Sequence, residues 1–178
     1  MRIKKLSFVI FIVIACAVTV AAQALQSVYT DFKSCKTIER DDASAGYELD
    51  QCEGVGGYKL LLESGDDRQN ITVVKPDGSK HDLLFGQIGG GGFSGVGEKA
   101  EWRVKRQNGH LVPVALIVRF NVSTDPSDST KITSYLTITK ITPQEVCRVG
   151  EIEPSPAANE EARRAADNAA AKPCIKPL

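Results

Sequence analysis

Histidine is almost missing from this sequence. Only His81 and His110 occur in 178 residues, which leaves few ways to build a histidine metal centre or a general base that titrates near neutrality. No C-x-x-C pair occurs, so the usual spacing of a zinc or dithiol site is absent too, and no metal site or cofactor is expected. The segment GFSGVG lacks the G-x-S-x-G spacing of a hydrolase nucleophile elbow. Charge of one sign is not in excess: 22 basic residues face 22 acidic ones. Without a basic patch, nucleic acid is excluded as a partner. Beyond residue 24 no apolar run approaches the roughly 20 residues a membrane helix needs, so no transmembrane segment is expected there. No internal repeat occurs, and the glycines form the only low-complexity tract.

What is present begins with a leader. In MRIKKLSFVIFIVIACAVTVAAQA a basic start (Arg2, Lys4, Lys5) precedes an apolar run and then small residues. This reads as a secretory signal peptide over 1–22, cleaved near Ala22 or Ala24. Residues 25–178 then form a single domain, exported to the periplasm or secreted. At about 150 residues it is long enough for one proper core. Loss of the three leader bases leaves 19 basic groups against 22 acidic ones, a mildly acidic chain. The tetrapeptide VIAC, Val13 to Cys16, offers an alternative: a lipoprotein anchored through Cys16. The apolar stretch AVTVAA that follows is unlike a lipoprotein's polar tether, so free export is preferred.

Four cysteines remain after the leader: Cys35, Cys52, Cys147 and Cys174. In an exported chain an even number reads as disulfides. Three pairings are open. Cys35–Cys52 and Cys147–Cys174 are favoured, because each pair is close in sequence and brackets a turn-back.

From 29 to 141 the pattern is strand-like. CKTIER and GYELDQC flank an acidic turn; GYKLLLES and the β-branched RQNITVVK follow. KPDG, at 75–78, has the residues of a tight turn, so RQNITVVK and SKHDLLF are expected to form a hairpin. In AEWRVKR, Ala100, Trp102 and Val104 alternate with Glu101, Arg103 and Lys105; Trp102 reads as a core anchor. Asn108-Gly109 is the strongest short hairpin signal in the chain. Its return strand HLVPVALIVRFNV is apolar on both faces at 114–118, as suits a covered central strand, with Pro113 at a start or a bulge. KITSYLTITKI completes an antiparallel meander. TPQE predicts one helical turn at 142–145. A C-terminal helix is expected over about 156–171, capped by Ser155, with an alanine stripe at 158, 162, 165 and 169. The fold expected is mainly β (α+β): an antiparallel β-sandwich or partly open barrel with one C-terminal α-helix and two disulfides.

Six of the fifteen glycines fall in QIGGGGFSGVGEKAEW, 87–102, and Gly90, Gly92 and Gly95 spell G-x-G-x-x-G. A dinucleotide site needs a helix after these glycines; a strand follows instead, which excludes that reading. The segment is then a bent connection or a binding loop, with Gly89, Gly90, Gly91, Gly92, Phe93 and Ser94 as the candidate binding residues and Phe93 expected to plug the core. Other chemistry is thinner. Glu98 and Glu101 lie three apart, on opposite faces of a strand, which argues against a glycosidase pair. His81 and His110 are able to meet only if two hairpins stack. SGDDRQN and STDPSDST hold oxygen ligands without the spacing of a calcium loop. Asn70-Ile-Thr72 and Asn121-Val-Ser123 are glycosylation sequons.

In the order SCKTIE, GVGGYKLLL, RQNITVVKPDG, GGFSGVGEKAEWR, VPVALIVR, SYLTITKIT and ANEEARRAADNAAAKPC, the chain resembles small exported proteins of Gram-negative bacteria that carry no assigned activity. The resemblance spans nearly all of the chain after the leader and implies export and a single domain. The function expected is a non-enzymatic periplasmic or secreted binding module whose partner is an envelope or secreted protein. An inhibitor of an extracytoplasmic lysozyme or protease is the first alternative, and a small secreted hydrolase using His81 or His110 is the second.

Overall fold

The computed structural model describes residues 24–178; the expected leader, 1–22, and the Cys16 motif lie outside them. Ten strands form two five-stranded antiparallel sheets. The first sheet has the order β1 (Gln26–Asp31), β7 (Ser94–Gln107), β8 (His110–Ser123), β9 (Ile132–Ile141), β10 (Val146–Ile152). The second is a plain meander: β2 (Lys36–Asp41), β3 (Tyr47–Glu53), β4 (Lys59–Gly65), β5 (Arg68–Val74), β6 (Lys80–Asp82). The sheets stack as a sandwich and do not close into a barrel. Helix α1 (Ala158–Asp167) covers the outer face of the first sheet.

Alternation along the strands explains the layers. Leu60, Leu62, Ile71 and Val73 of the second sheet meet Trp102, Val104, Leu116, Val118 and Phe120 of the first in one core. Trp102 is fully buried and its indole N–H donates to Thr30 Oγ1 at 3.0 Å, so the anchor's polar end is satisfied as a buried indole requires. β8 is covered on both faces, as its unbroken apolar run predicts: Ala115 and Ile117 point to the helix, while Leu116 and Val118 point to the second sheet. The register slips between Arg103↔Ala115 and Val104↔Pro113, which makes Val114 the extra residue of a bulge beside Pro113, a place in a sheet where proline is tolerated.

Both expected bridges form, Cys35–Cys52 and Cys147–Cys174. The KPDG turn closes β5 onto β6 through Lys75 N–H to Ser79 O at 2.9 Å. The expected helical turn at TPQE is absent. Thr142 instead closes a hairpin, its N–H donating to Glu145 O and its hydroxyl accepting from Glu145 N–H, and the chain returns as β10. Cross-strand pairing with β9 thus overrides the local capping pattern.

The C-terminal helix is shorter than expected. It spans Ala158–Asp167, followed by a 3-10 turn at Ala169–Ala171. Ser155 makes no side-chain cap, and the buried stripe is Ala158, Ala162, Ala166 and Ala169, with Ala165 only half-buried. Alanines bury little area, and ion pairs supply the rest of the hold. Arg103 reaches Asp167 through two bonds of 2.7 and 2.9 Å. Arg163 reaches Glu101 in the opposite sense at 2.7 and 3.2 Å. Forked guanidinium–carboxylate pairs of this kind fix orientation as well as distance. Burial pushes the Glu101 carboxyl up, but the Arg163 and Ser27 hydrogen bonds and the Arg103 charge outweigh it and hold the group below its ordinary range.

Candidate functional site

The glycine segment is the crossing between the sheets. β6 ends the second sheet at Asp82, and the chain passes over the end of the sandwich through Leu83 to Phe93 before β7 begins the first. Its entry is fixed on three sides. Leu83 N–H donates to Ile71 O at 3.0 Å, the Asp82 carboxylate accepts from Leu84 N–H at 2.7 Å, and Phe85 N–H donates to Asn70 Oδ1 at 3.1 Å. From the other sheet the buried Arg148 donates to Leu83 O at 3.0 Å and Leu84 O at 3.3 Å. Phe85 and Ile88 then plug the core.

The glycines serve the exit. Gly89, Gly90 and Gly91 all take positive φ. A β-carbon on Gly92 would lie 2.1 Å from the Ser123 carbonyl oxygen, so only hydrogen fits there. That close approach lets Ser123 N–H donate to Phe93 O at 2.9 Å and starts the β7–β8 ladder. Phe93 does not plug the core as expected. It is 46% exposed, and the Arg68 guanidinium lies over its ring at 5.2 Å from the centroid. Phe85 and Ile88 already fill the end of the sandwich, and the close contact at Gly92 leaves no room for Phe93 to turn inward.

Arg68 is the hinge of this face. Its Nε donates to Gly91 O at 3.0 Å, and Nη1 donates to the Asp66 carbonyl at 3.1 Å and pairs with its carboxylate. SGDDRQN is not an open loop. Asp66 and Asp67, both at positive φ, make a two-residue turn that pairs Gly65 with Arg68. Three cavities adjoin Arg68. One of about 360 Å³ lies against Glu63, Asn70, Asp82 and Gln87. A second, about 330 Å³, lies between Gly89–Phe93 and the loop Thr124–Ser129. A third, about 450 Å³, lies over Asp66 and Asp67. Five carboxylates line them (Glu63, Asp66, Asp67, Asp82 and Asp125), and Arg68 is their single lining cation. The Asp125 carboxyl is held down to about 2, first by the Lys131 ammonium and then by Ser127, so it stays ionised as one half of an ion pair with Lys131 at 2.6 Å.

Of the candidate residues, Gly89–Phe93 share the second cavity, whereas Ser94 lies on the far side of Arg68, in the first and third. The other candidates scatter. Glu98 pairs with Lys33 at 2.7 Å on the surface. His110 is exposed at the β7–β8 turn, while His81 lies on β6 in the other sheet. Asp77, Ser79 and His81 do touch: Ser79 Oγ donates to Asp77 Oδ1 at 2.6 Å and stands 3.3 Å from His81 Nε2. Here serine is the middle member, whereas a hydrolytic triad needs histidine between serine and carboxylate. In STDPSDST, Asp125 and Asp128 spend oxygens on Ser127, Thr130 and Lys131 within the loop. Arg68 and Arg148, which build the face, were not legible as site residues; an arginine in a strand carries no motif. Comparison of the chain with family models, curated proteins and solved structures returns no match.

Proposed function

We propose that the protein is an exported, non-enzymatic binding module of the Gram-negative envelope, and that it takes a protein partner on the face around Phe93. The observation that carries this reading is Phe93 itself, an aromatic ring exposed and stacked on Arg68 between acid-lined cavities. Aromatic and arginine side chains held rigid at the centre of a patch are the usual energetic anchors of protein interfaces. The crossing is braced from both sheets, so little ordering is left to oppose binding. Two disulfides, and no helix among the described residues long and apolar enough to cross a membrane, agree with an extracytoplasmic site of action.

The acidic rim specifies the partner's chemistry: a basic surface that offers an aliphatic or aromatic side chain to Phe93 and lysines or arginines to the carboxylates. A basic hydrolase, held in an inhibitory complex, is one member of that class. The test is affinity capture from envelope extracts with the wild-type chain, Phe93→Ser and Ile38→Ser. Ile38 is a similarly exposed apolar residue on β2, an edge strand of the second sheet. A partner held by wild type and Ile38→Ser but not by Phe93→Ser, and released by salt as electrostatic complementarity requires, is the expected result. Equal capture by all three chains would overturn the assignment of the face.

A further inference from the structure

The outer face of the first sheet carries two cations, Lys99 and Arg119, that form no ion pair among the described residues. β7 and β8 pair up to Val96↔Phe120 and again from Ala100↔Val118, so Gly97, Glu98 and Lys99 bulge out opposite the single residue Arg119. Bulges of this kind re-aim side chains. Gly97 makes room for the arginine stem: a β-carbon there would stand 2.9 Å from Arg119 Cβ. The half-buried guanidinium is then held by neutral groups. Nη1 donates to Ser134 Oγ at 3.0 Å and Nη2 to Asn159 Oδ1 at 3.2 Å. The carboxylates beside the two cations are spent elsewhere. Glu98 pairs with Lys33 at 2.7 Å. Asp31, opposite Lys99 in the register, accepts from Lys33 N–H at 2.9 Å. Glu101 takes the fork of Arg163 and the hydroxyl of Ser27. Like charges brought together across neighbouring strands are destabilising, so this pair calls for an anion from outside the fold.

Lys99 and Arg119 line one cleft of about 110 Å³ between the sheet and the start of α1. The neutral polar groups of its lining donate as well. Asn159 Oδ1 accepts from Arg119, which leaves its amide Nδ2 to donate. Tyr29 Oη accepts from Arg163 at 3.4 Å, which leaves its hydroxyl proton to donate. Ile117 and Leu136 supply an apolar floor, beside which each charged hydrogen bond is stronger than in open water. We propose that this cleft binds one dianionic phosphate group, free or as a monoester, between Lys99 and Arg119, with Asn159 and Tyr29 as neutral donors. The two unpaired cations match its two charges, and arginine and lysine are both usual phosphate ligands. The volume is that of about three or four waters, which admits the phosphate and leaves the rest of an ester in solvent. This inference does not depend on the Phe93 reading.

The test titrates the purified protein with inorganic phosphate, and separately with acetate, at about pH 8 where phosphate is dianionic. Chloride holds the ionic strength constant, and NMR follows the Asn159 side-chain amide and the Arg119 Nε–H. Saturable shifts of both signals are expected with phosphate, at least about ten-fold weaker binding of acetate, and no shift as chloride alone is varied. Arg119→Gln and Lys99→Gln should each weaken phosphate at least about ten-fold, the usual loss for a hydrogen bond to a charged group. Lys105→Gln, an exposed lysine of the same strand, should leave it unchanged. Lys99 is itself exposed, so Lys99→Gln decides where Arg119→Gln does not fold. Phosphatidic acid vesicles separate the two sources: co-sedimentation lost in Lys99→Gln puts the phosphate on a lipid headgroup, and no co-sedimentation makes it a soluble ligand. No saturable shift with phosphate, equal affinity for acetate, or equal losses in Lys99→Gln and Lys105→Gln would each overturn the proposal.

Discussion

Gly90 and Gly92 look alike in the sequence, and the structure gives them different fates on replacement by alanine. At Gly90 a β-carbon meets nothing within 4 Å, and the cost is conformational, φ being +80°. Holding an L-residue in the left-handed region costs about 1–2 kcal/mol. At Gly92 the φ is ordinary, but the β-carbon would stand 2.1 Å from Ser123 O. The two segments must part by roughly 1 Å, which stretches the Ser123 N–H to Phe93 O bond at the head of the β7–β8 ladder. Overpacking of a tight site costs about 1–3 kcal/mol, and a lost backbone bond adds about 1 kcal/mol. Gly92→Ala should therefore lose about 3 kcal/mol and Gly90→Ala about half of that. With about 2–4 °C per kcal/mol for a chain of this size, the melting temperature should fall by roughly 6–12 °C and 3–6 °C respectively in a calorimetric scan. Hydrogen exchange should quicken at Ser123 in Gly92→Ala alone. Equal losses, or a Gly92→Ala chain as stable as wild type, would refute the claim that this glycine is set by backbone contact.

The same reasoning gives three further outcomes. Asp167→Asn should destabilise by about 1.5–3 kcal/mol, the usual loss for a hydrogen bond to a charged group, whereas Arg164→Ala, whose exposed pair with Glu160 is 3.8 Å long, should change stability by less than about 0.5 kcal/mol; chemical denaturation of both chains measures this. Phe85→Ala should cost about 3–5 kcal/mol as a core truncation and Phe93→Ser almost nothing, so a large loss for Phe93→Ser in the same assay contradicts its exposure. The folded state holds Glu101, Asp77 and Asp125 below their ordinary values, the two aspartates down to about 2. A depressed carboxylate lends stability above its unfolded value and loses it as pH falls through its folded value, so stability should be flat above about pH 5 and decline between about pH 4 and 2, most visibly through the partly buried Glu101; a pH series of melts that rises toward pH 3 would contradict those pairings.

How much of this was legible in the sequence follows from whether the determining forces are local. The KPDG and Asn108-Gly109 turns, the doubly apolar run of β8 and the core role of Trp102 follow from period and turn chemistry, and all four appear as expected. The two bridges were favoured from spacing and form. β10 was missed because TPQE reads as a capping box, and only pairing with β9 decides otherwise. Arg103 and Glu101 read only as one face of an alternating strand; α1 covers that face and draws them into partly buried ion pairs. Phe93 was expected inside because an aromatic beside glycines has no local reason to be outside. Its exposure depends on Phe85 and Ile88 filling the same space and on the backbone contact at Gly92. The glycine segment was read as a bent connection or a binding loop, and its task of carrying the chain from one sheet to the other needs the topology.

The most direct test of the account is a photo-crosslinker placed at position 93 of the chain in living cells, with the same group at position 38 as the control. The account predicts one discrete protein adduct at 93, absent at 38, and lost when Asp82 and Asp125 are changed to lysine to reverse the rim's charge. An adduct of equal yield at both positions, or none at 93, would contradict a partner-binding face built on Phe93 and Arg68.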